Sequence, residues 1–292
     1  MRLEIHHQTR YRFTRAVDLQ SHRLLVTPRS GAELQLLDIR INAGSDATIE
    51  WTDDVFANRI ANVSFRLPTQ ELLIDVISRV DQTASAFPIF AIGVEAHNYP
   101  FDYSDDDRLD LGALLDARLS DDVTEDNQVA NWARGFIAGQ PTDTLALLGD
   151  INAGILNAVA YRARDEAGTQ TPAETLKLAS GSCRDIAALF IASVRHLGFG
   201  ARAVSGYLYD PEASTDDPGS THAWAEVFLP GAGWIAFDPT HRRMGDAFLI
   251  PVAVGRHNAR IMPVAGAYVG SAADAAGMEV SVKIALSSND AS

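Results

Sequence analysis

Cysteine is nearly absent from this chain, since Cys183 is the only one among 292 residues. An intramolecular disulfide is therefore impossible, and so is any metal site that needs two thiolate ligands. The eight histidines are scattered without the spacing of a metal-binding motif, so we expect no metal and no other cofactor. A chain without paired cysteines is typical of a reducing compartment, and the expected location is cytoplasmic.

Long apolar runs are missing as well. No stretch approaches the 18 or so consecutive apolar residues of a membrane-spanning helix, and the opening sequence MRLEIHHQTRYRF carries charges where a secretory signal needs an apolar stretch. Positive charge is also scarce, because 24 basic residues face 38 acidic ones and the net charge is −14. Such a surface repels nucleic acids and anionic membranes, so we expect neither as a partner.

The negative charge is concentrated in residues 102–126, which contain ten acidic residues and two arginines. A run of like charges is usually a solvated segment, and we interpret this one as a connector between two parts of the chain.

The first hundred residues are rich in short runs of β-branched and aromatic residues. Turn-forming segments such as Pro28–Gly31 and Asn42–Asp46 separate them, which predicts an antiparallel β-sandwich or meander. The runs are Arg2–Phe13, Leu34–Ile41, Thr48–Trp51, Arg59–Leu67 and Leu72–Val80. No cluster of catalytic residue types occurs in this part.

The pattern changes after the acidic stretch. Apolar residues at helical spacing predict four helices, and strand-like runs follow them, so an α+β arrangement is indicated. The predicted helices are Leu109–Leu119, Glu125–Ile137, Thr144–Ala163 and Ser182–Leu197. The predicted strands are Ala201–Tyr209, Ala223–Leu229 and Trp234–Phe237, with further strand-like pieces at Val252–Val254 and Val280–Leu286.

The single cysteine lies at the start of the fourth predicted helix. The unpaired N–H groups and the dipole of a helix N-terminus stabilise a thiolate, and the same N–H groups can hold a developing oxyanion. Cys183 is therefore a candidate nucleophile. The alternative is a buried structural cysteine, which is the usual role of a lone cysteine.

A second segment, Thr221–Thr240, is typical of a β-hairpin with its turn at Pro230–Gly233. His222 begins the first strand and Asp238 ends the second. Opposite and diagonal neighbours in a hairpin lie roughly 5–8 Å apart, so the carboxylate can reach the imidazole. This pair lacks only a nucleophile, and with Cys183 it predicts a catalytic triad.

These residues resemble a known family. The segments Ser180–Asp185, His222–Glu226 and Gly233–Thr240 are similar to those of the bacterial transglutaminase-like proteins in the transglutaminase/papain-like superfamily. The strands around Tyr11–Phe13 and Leu24–Arg29 are similar to the N-terminal β domain of that family. The resemblance covers nearly the whole chain.

The resemblance implies an α+β fold with two domains. Residues 1–105 form an N-terminal antiparallel, β-sandwich-like domain, and residues 106–292 form a papain-like transglutaminase core with a C-terminal β extension. In that core, helices pack on an antiparallel sheet.

The resemblance also implies a mechanism. Cys183 is the nucleophile, His222 is the general base and later the acid, and Asp238 fixes the imidazole. Attack on a glutamine carboxamide or an amide bond of a protein or peptide substrate gives a thioester, which an amine or water resolves. Transglutaminase-like transfer and cysteine protease or amidase activity both remain open.

Some residues depart from the family pattern. Arg184 follows the cysteine where many relatives have glutamine, and it either lines the substrate cleft or packs on the helix surface. His257 and Asn258 replace an aspartate and a tyrosine. If these positions shape the substrate site, specificity differs or activity is reduced, and the alternative function is a weak or inactive binding or scaffold module.

Three aromatic or acidic residues are weaker candidates. Tyr161 could offer a phenol near the oxyanion, or it could be a core or groove aromatic. Trp224 could shield the thiolate–imidazolium pair from water, or it could pack in the core. Glu226 shares a strand face with both His222 and Trp224, and the sequence leaves its role open.

Overall fold

The computed structural model describes residues 1–85, 88, 90–118, 123–164, 168–211, 219–245 and 247–287. Its strands are β1 (Arg2–Leu19), β2 (His22–Leu24), β3 (Leu34–Asn42), β4 (Thr48–Asp53), β5 (Arg59–Ser64), β6 (Thr69–Gln82), β7 (Asn98–Tyr99), β8 (Thr142–Asp143), β9 (Ala160–Tyr161), β10 (Ser180–Gly181), β11 (Ala201–Tyr209), β12 (Gly219–Leu229), β13 (Gly233–Asp238), β14 (Arg243–Met244), β15 (Leu249–Gly255), β16 (Val264–Ala265), β17 (Tyr268–Val269) and β18 (Ala275–Leu286). Its α-helices are α1 (Asp105–Leu111), α2 (Val123–Arg134), α3 (Thr144–Ala158), α4 (Pro172–Leu178) and α5 (Cys183–His196). Short 3-10 helices cover Val94–Ala96, Gly112–Leu114, Asn258–Arg260 and Ala272–Asp274.

Two antiparallel sheets form the N-terminal part of the fold. One has the order β17-β1-β6-β3, with β18 also paired to β1, and the other has the order β16-β2-β5-β4. Alternate residues of β6 are buried, as expected for a strand with one covered face. Leu72, Ile74 and Val76 pack there against Leu24 and Val63 of the second sheet. The predicted N-terminal antiparallel β-structure is confirmed.

The last strands of the chain belong to these N-terminal sheets. Strand β18 runs antiparallel beside β1, from the pair Leu3 and Leu286 to the pair Phe13 and Ala275. Strand β16 also pairs antiparallel with β2, and β17 pairs antiparallel with β1. The segment expected as an extension of the second part thus completes the first. The division of the chain at residues 105 and 106 stays a prediction.

The second part is a five-stranded antiparallel sheet of order β14-β13-β12-β11-β15, with helices packed on it. Helix α5 carries the apolar stripe that predicted it, and Phe190 stacks on Phe237 of β13 with ring centroids 5.4 Å apart. Burial of these large side chains is the main favourable contribution to folding here. Leu3 and Ile5 of β1 belong to the same buried cluster, so one continuous core joins the two parts.

The bounds of three predicted helices need correction, and one helix was missed. Helix α2 covers Val123–Arg134 instead of residues 125–137. Helix α3 ends at Ala158 instead of residue 163, because Val159 is extended with φ −131° and the next two residues form β9. The helix predicted over 109–119 begins earlier, where the Ser104 side chain accepts the Asp107 N–H. It ends before Gly112, whose φ of +44° is the left-handed conformation that glycine tolerates. Helix α4 was not predicted.

Within the described part of the chain, no helix combines the length and the apolar character that are needed to cross a membrane.

Candidate active site

Cys183 is the first residue of helix α5, and a buried carboxylate holds this helix end in place. The Asp185 side chain accepts the backbone N–H groups of Ser182 and Gln170, both at 2.8 Å, and the Ser182 hydroxyl at 2.7 Å. The Arg164 guanidinium donates to it at 2.9 Å. Burial raises the pKa of Asp185, but the hydrogen bonds from Arg164 and the neighbouring donors outweigh this and lower the pKa. The cysteine therefore lies on a fixed helix N-terminus.

Gly181, two residues before Cys183, allows the chain to pass close to this network. A side-chain carbon at position 181 would lie 2.9 Å from the Cβ atom of Asp185, which is closer than such atoms approach. Gly181 also pairs in parallel with Tyr161 of β9. The close packing explains why glycine precedes the cysteine helix.

His222 and Asp238 lie on neighbouring strands of the central sheet, β12 and β13, and both side chains are buried. The Nε2 atom of His222 is 2.9 Å from the Oδ2 atom of Asp238. The other ring nitrogen, Nδ1, remains for the hydrogen bond that His222 makes with the Cys183 thiol. The structure thus brings together the three side chains that the sequence singled out, in the order thiol, imidazole, carboxylate.

The electrostatics of the pair favour the charged forms of both groups. Burial alone raises the pKa of the Cys183 thiol, but hydrogen bonding to His222 and to the backbone N–H groups of Ala223 and Arg184 lowers it below the ordinary value. Burial lowers the pKa of His222, whereas Asp238 and Cys183 raise it, and the net direction is upward. A thiolate beside an imidazolium is the activated state of a cysteine nucleophile.

A second histidine shares the same carboxylate. The Nδ1 atom of His241 lies 2.8 Å from Oδ2 of Asp238, and the backbone N–H of Thr240 donates to Oδ1 at 3.0 Å. Burial raises the pKa of Asp238, but the hydrogen bonds from both histidines lower it strongly. The sequence pattern did not single out His241. The sequence feature that could have indicated its role is Asp238-Pro239-Thr240-His241, because a tight turn over these four residues brings His241 back to Asp238.

His222, Asp238 and His241 are also the one group in the described residues that could hold a metal ion, because their ligand atoms lie within 4.8 Å of one another. Hydrogen bonds between the two rings and the carboxylate account for this arrangement without an ion. The absence of a metal stays a prediction.

Cys183 and His222 open onto a cleft of about 200 Å³. Arg184 lines the cleft beside the cysteine. Asn258 lines it too, and its Nδ2 atom donates to the Arg184 carbonyl oxygen at 2.7 Å. His257 lines a separate groove and not the cleft. Of the three departures from the family pattern, Arg184 and Asn258 therefore reach the cleft.

The remaining candidates take different positions. Trp224 is completely buried and stacks on the His222 ring with centroids 6.0 Å apart, so we assign it to holding the imidazole rather than to contact with substrate. Tyr161 is 52% exposed, and its pKa is raised first by burial and then by the nearby Cys183. Glu226 forms an ion pair with Arg202 at 2.6 Å across β11 and β12 and does not line the cleft.

A helix with a cysteine in its first turn, packed on an antiparallel sheet that carries histidine and aspartate, defines the papain-like transglutaminase class of fold. Both parts of the chain match models of transglutaminase-like families. Residues 130–239 match the family model described as the transglutaminase-like superfamily, and residues 3–81 match the bacterial transglutaminase-like N-terminal region.

Similar proteins match this chain over most of its length or over about a third of it. An uncharacterized protein of Mycobacterium tuberculosis is 27% identical in an alignment of 282 residues, and the match covers 91% of this chain and 87% of that protein. An uncharacterized protein of Mycobacterium leprae is 33% identical over 103 residues, covering 34% of this chain and 36% of that protein. A crystal structure named as a putative cysteine protease from Cytophaga hutchinsonii covers 97% of this chain and 90% of its own, with a TM-score of 0.74 and 20% identity. This last likeness shows the shared fold.

Alkylation of Cys183 by iodoacetamide should report the thiolate directly. The lowered thiol pKa keeps the thiolate present at pH values where free cysteine is protonated, so the rate falls only as the pH drops through that lowered pKa. In His222→Ala the hydrogen bond is lost and burial remains, so the inflection should move to higher pH. The adduct mass followed over time at a series of pH values measures both profiles. Identical inflections would contradict the contact between Cys183 and His222.

Proposed function

We propose that this protein is a cysteine-dependent acyl-transfer enzyme that acts on a glutamine carboxamide or a peptide bond of a protein or peptide substrate. The observation that carries the proposal is the hydrogen-bonded series of Cys183, His222 and Asp238, in which Cys183 and His222 line an open cleft. A nucleophile, a base and a group that orients the base are the elements of covalent catalysis.

The reaction follows from the charges of these groups. The Cys183 thiolate attacks the carbonyl carbon, and its electron pair forms the carbon–sulfur bond while the carbonyl oxygen becomes an oxyanion. The His222 imidazolium then gives its proton to the leaving nitrogen, which departs as ammonia or an amine and leaves a thioester. Asp238 orients the His222 ring through its hydrogen bond with Nε2, so Nδ1 of His222 faces the sulfur of Cys183. Water or an amine, deprotonated by His222, resolves the thioester.

The competing function is a binding or scaffold module that keeps this fold without turnover. Asn258 favours it mildly, because this residue lines the cleft at a position where relatives have another side chain. The hydrogen bonds of Asp238 and His222 do not involve Asn258, so its presence leaves the three-residue series intact. We therefore prefer the enzyme.

Trapping the thioester tests the proposal. The protein is incubated at neutral pH with a panel of glutamine-containing peptides, quenched in acid and weighed as the intact protein. We expect a gain equal to the mass of the peptide less ammonia on Cys183, and conversion to an acid or an amide when water or a primary amine is supplied. Peptides with glutamate in place of glutamine are the control, because they lack the leaving group.

Absence of any adduct from glutamine or amide peptides, with Cys183 still alkylated readily by iodoacetamide, would favour the binding module. The nature of the product also separates hydrolysis from amine transfer, which depends on how well the cleft excludes water.

A further inference from the structure

One wall of the cleft comes from the N-terminal sheet, far from Cys183 in sequence. Strands β1 and β18 place three pairs of residues directly opposite each other, and because successive side chains of a strand alternate between faces, all three pairs lie on one face. The pairs are His7 with Val282, Thr9 with Val280, and Tyr11 with Met278. Five of these six side chains, all but Val282, line the cleft that holds Cys183.

On this face of β18, the exposed fraction of the side chains increases from Val282 through Val280 to Met278. Val282 is buried against the core, whereas Val280 is 47% exposed and Met278 is 57% exposed. The opposite face of the same two strands is polar, with Arg10 across from Glu279 and His6 across from Lys283. The two exposed apolar side chains are thus confined to the face that borders the cleft, where exposure to water is unfavourable unless something covers them.

His7 and Thr9 of this wall already have hydrogen-bond partners. His7 makes hydrogen bonds through Nδ1 with the Tyr207 hydroxyl at 2.9 Å and through Nε2 with the Thr9 hydroxyl at 3.0 Å. The Ser205 hydroxyl donates to the Ile261 carbonyl oxygen at 2.6 Å. Burial, with a smaller contribution from His6, lowers the pKa of His7 to about 4, so its ring is neutral at physiological pH. The wall therefore offers no charge to a bound group.

We infer that Tyr11, Met278 and Val280 form a subsite for an apolar side chain of the substrate, next to the carboxamide that reacts with Cys183. The substrate reaction rests on the proposed function, but the binding preference can be measured without turnover. A charged side chain placed here would lose its hydration without gaining a partner, which is costly. An apolar one would cover Met278 and Val280. The substrate is thus a glutamine or amide flanked by an apolar residue.

The experiment uses two alkylating reagents that differ only in the attached group, N-benzyl iodoacetamide and N-carboxymethyl iodoacetamide. For each reagent, the rate of Cys183 modification is divided by the rate at which the same reagent modifies a small free thiol. This ratio corrects for the different intrinsic reactivity of the two reagents. For the native protein we expect a preference of about tenfold or more for the benzyl reagent, the usual effect of one apolar group in a pocket. Met278→Lys should abolish this preference, because it removes the apolar contact and its charge attracts the carboxylate of the other reagent.

Ser281→Lys is the matched control, because it adds the same charge to β18 on the opposite face and should keep the preference. Met278→Gln removes the apolar contact without adding charge, and it should reduce the preference as well. Equal rates for the two reagents, a preference for the carboxymethyl reagent through Arg184, or an unchanged preference in Met278→Lys would each overturn the inference.

Glutamine peptides flanked by leucine or by glutamate form a second arm. Faster thioester formation with the leucine peptide, lost in Met278→Lys, supports the subsite and the proposed function together. If neither peptide reacts while the benzyl preference and its loss in Met278→Lys persist, the proposed function fails and the apolar subsite is supported. The two ideas are therefore distinguishable.

Discussion

Replacing Cys183 by alanine is expected to lower turnover of any reacting peptide by about a millionfold, the usual effect of removing a nucleophile that works with a histidine base. No other thiol in the chain can take over, because Cys183 is the only cysteine. The fold should persist, since Cys183 is only partly buried and lies at a helix end. The unfolding temperature should stay within about 2 °C of the native value.

Turnover and thermal unfolding, measured on the same preparations, check this expectation. His222→Ala is the companion variant, because it leaves the thiol in place but removes the base. Turnover that survives in Cys183→Ala would show that the thioester is not on the reaction path. A large loss of stability in both variants would instead show that these residues hold the fold together, and would favour the binding module.

The largest loss of stability is expected from Asp185→Ala, at about 3–5 kcal/mol, which is the usual cost of removing one partner of a buried ion pair. The Arg164 guanidinium would lose its carboxylate while remaining mostly buried, and the N–H groups of Ser182 and Gln170 would lose their acceptor. Urea unfolding measures this loss. The disturbance begins two residues from Cys183, so the thiol should also become less reactive.

Glu174→Ala is the matched control for this change. Glu174 accepts the Thr171 N–H at 2.7 Å at the start of α4, as Asp185 accepts the Ser182 N–H at the start of α5, but Glu174 is exposed. Its removal should cost about 1 kcal/mol, the ordinary effect of losing a helix cap. Equal losses in the two variants would mean that the buried ion pair adds nothing to the cap.

Local patterns in the sequence were sufficient for the elements that carry the site. Strand β11 has its predicted bounds, and the predicted hairpin is present as β12 and β13. Helix α5 begins one residue after its expected start. Each of these elements has a clear periodicity of apolar residues and an unambiguous turn or cap. Its sequence therefore indicates it without information on distant contacts.

Elements that depend on distant partners were not predictable in this way. The end of α3 was wrong because Val159 continues the apolar period of the helix although its backbone is extended and leads into β9. The pairing of β18 with β1 has no local signal, since nothing within either strand identifies its neighbour. His241 and the apolar wall were missed for the same reason: their roles follow from contacts between segments that the sequence does not order in space.

The position of β18 has a consequence for biosynthesis. A ribosome releases β18 long after β1, yet the two strands lie side by side and together line the cleft. Contacts between segments so far apart in sequence close late, because the intervening chain must be ordered first. The nascent chain can already hold Cys183, His222 and Asp238 while the adjoining wall is missing. An acyl-transfer site of this kind would acquire its selectivity only after β18 has been made and has paired with β1.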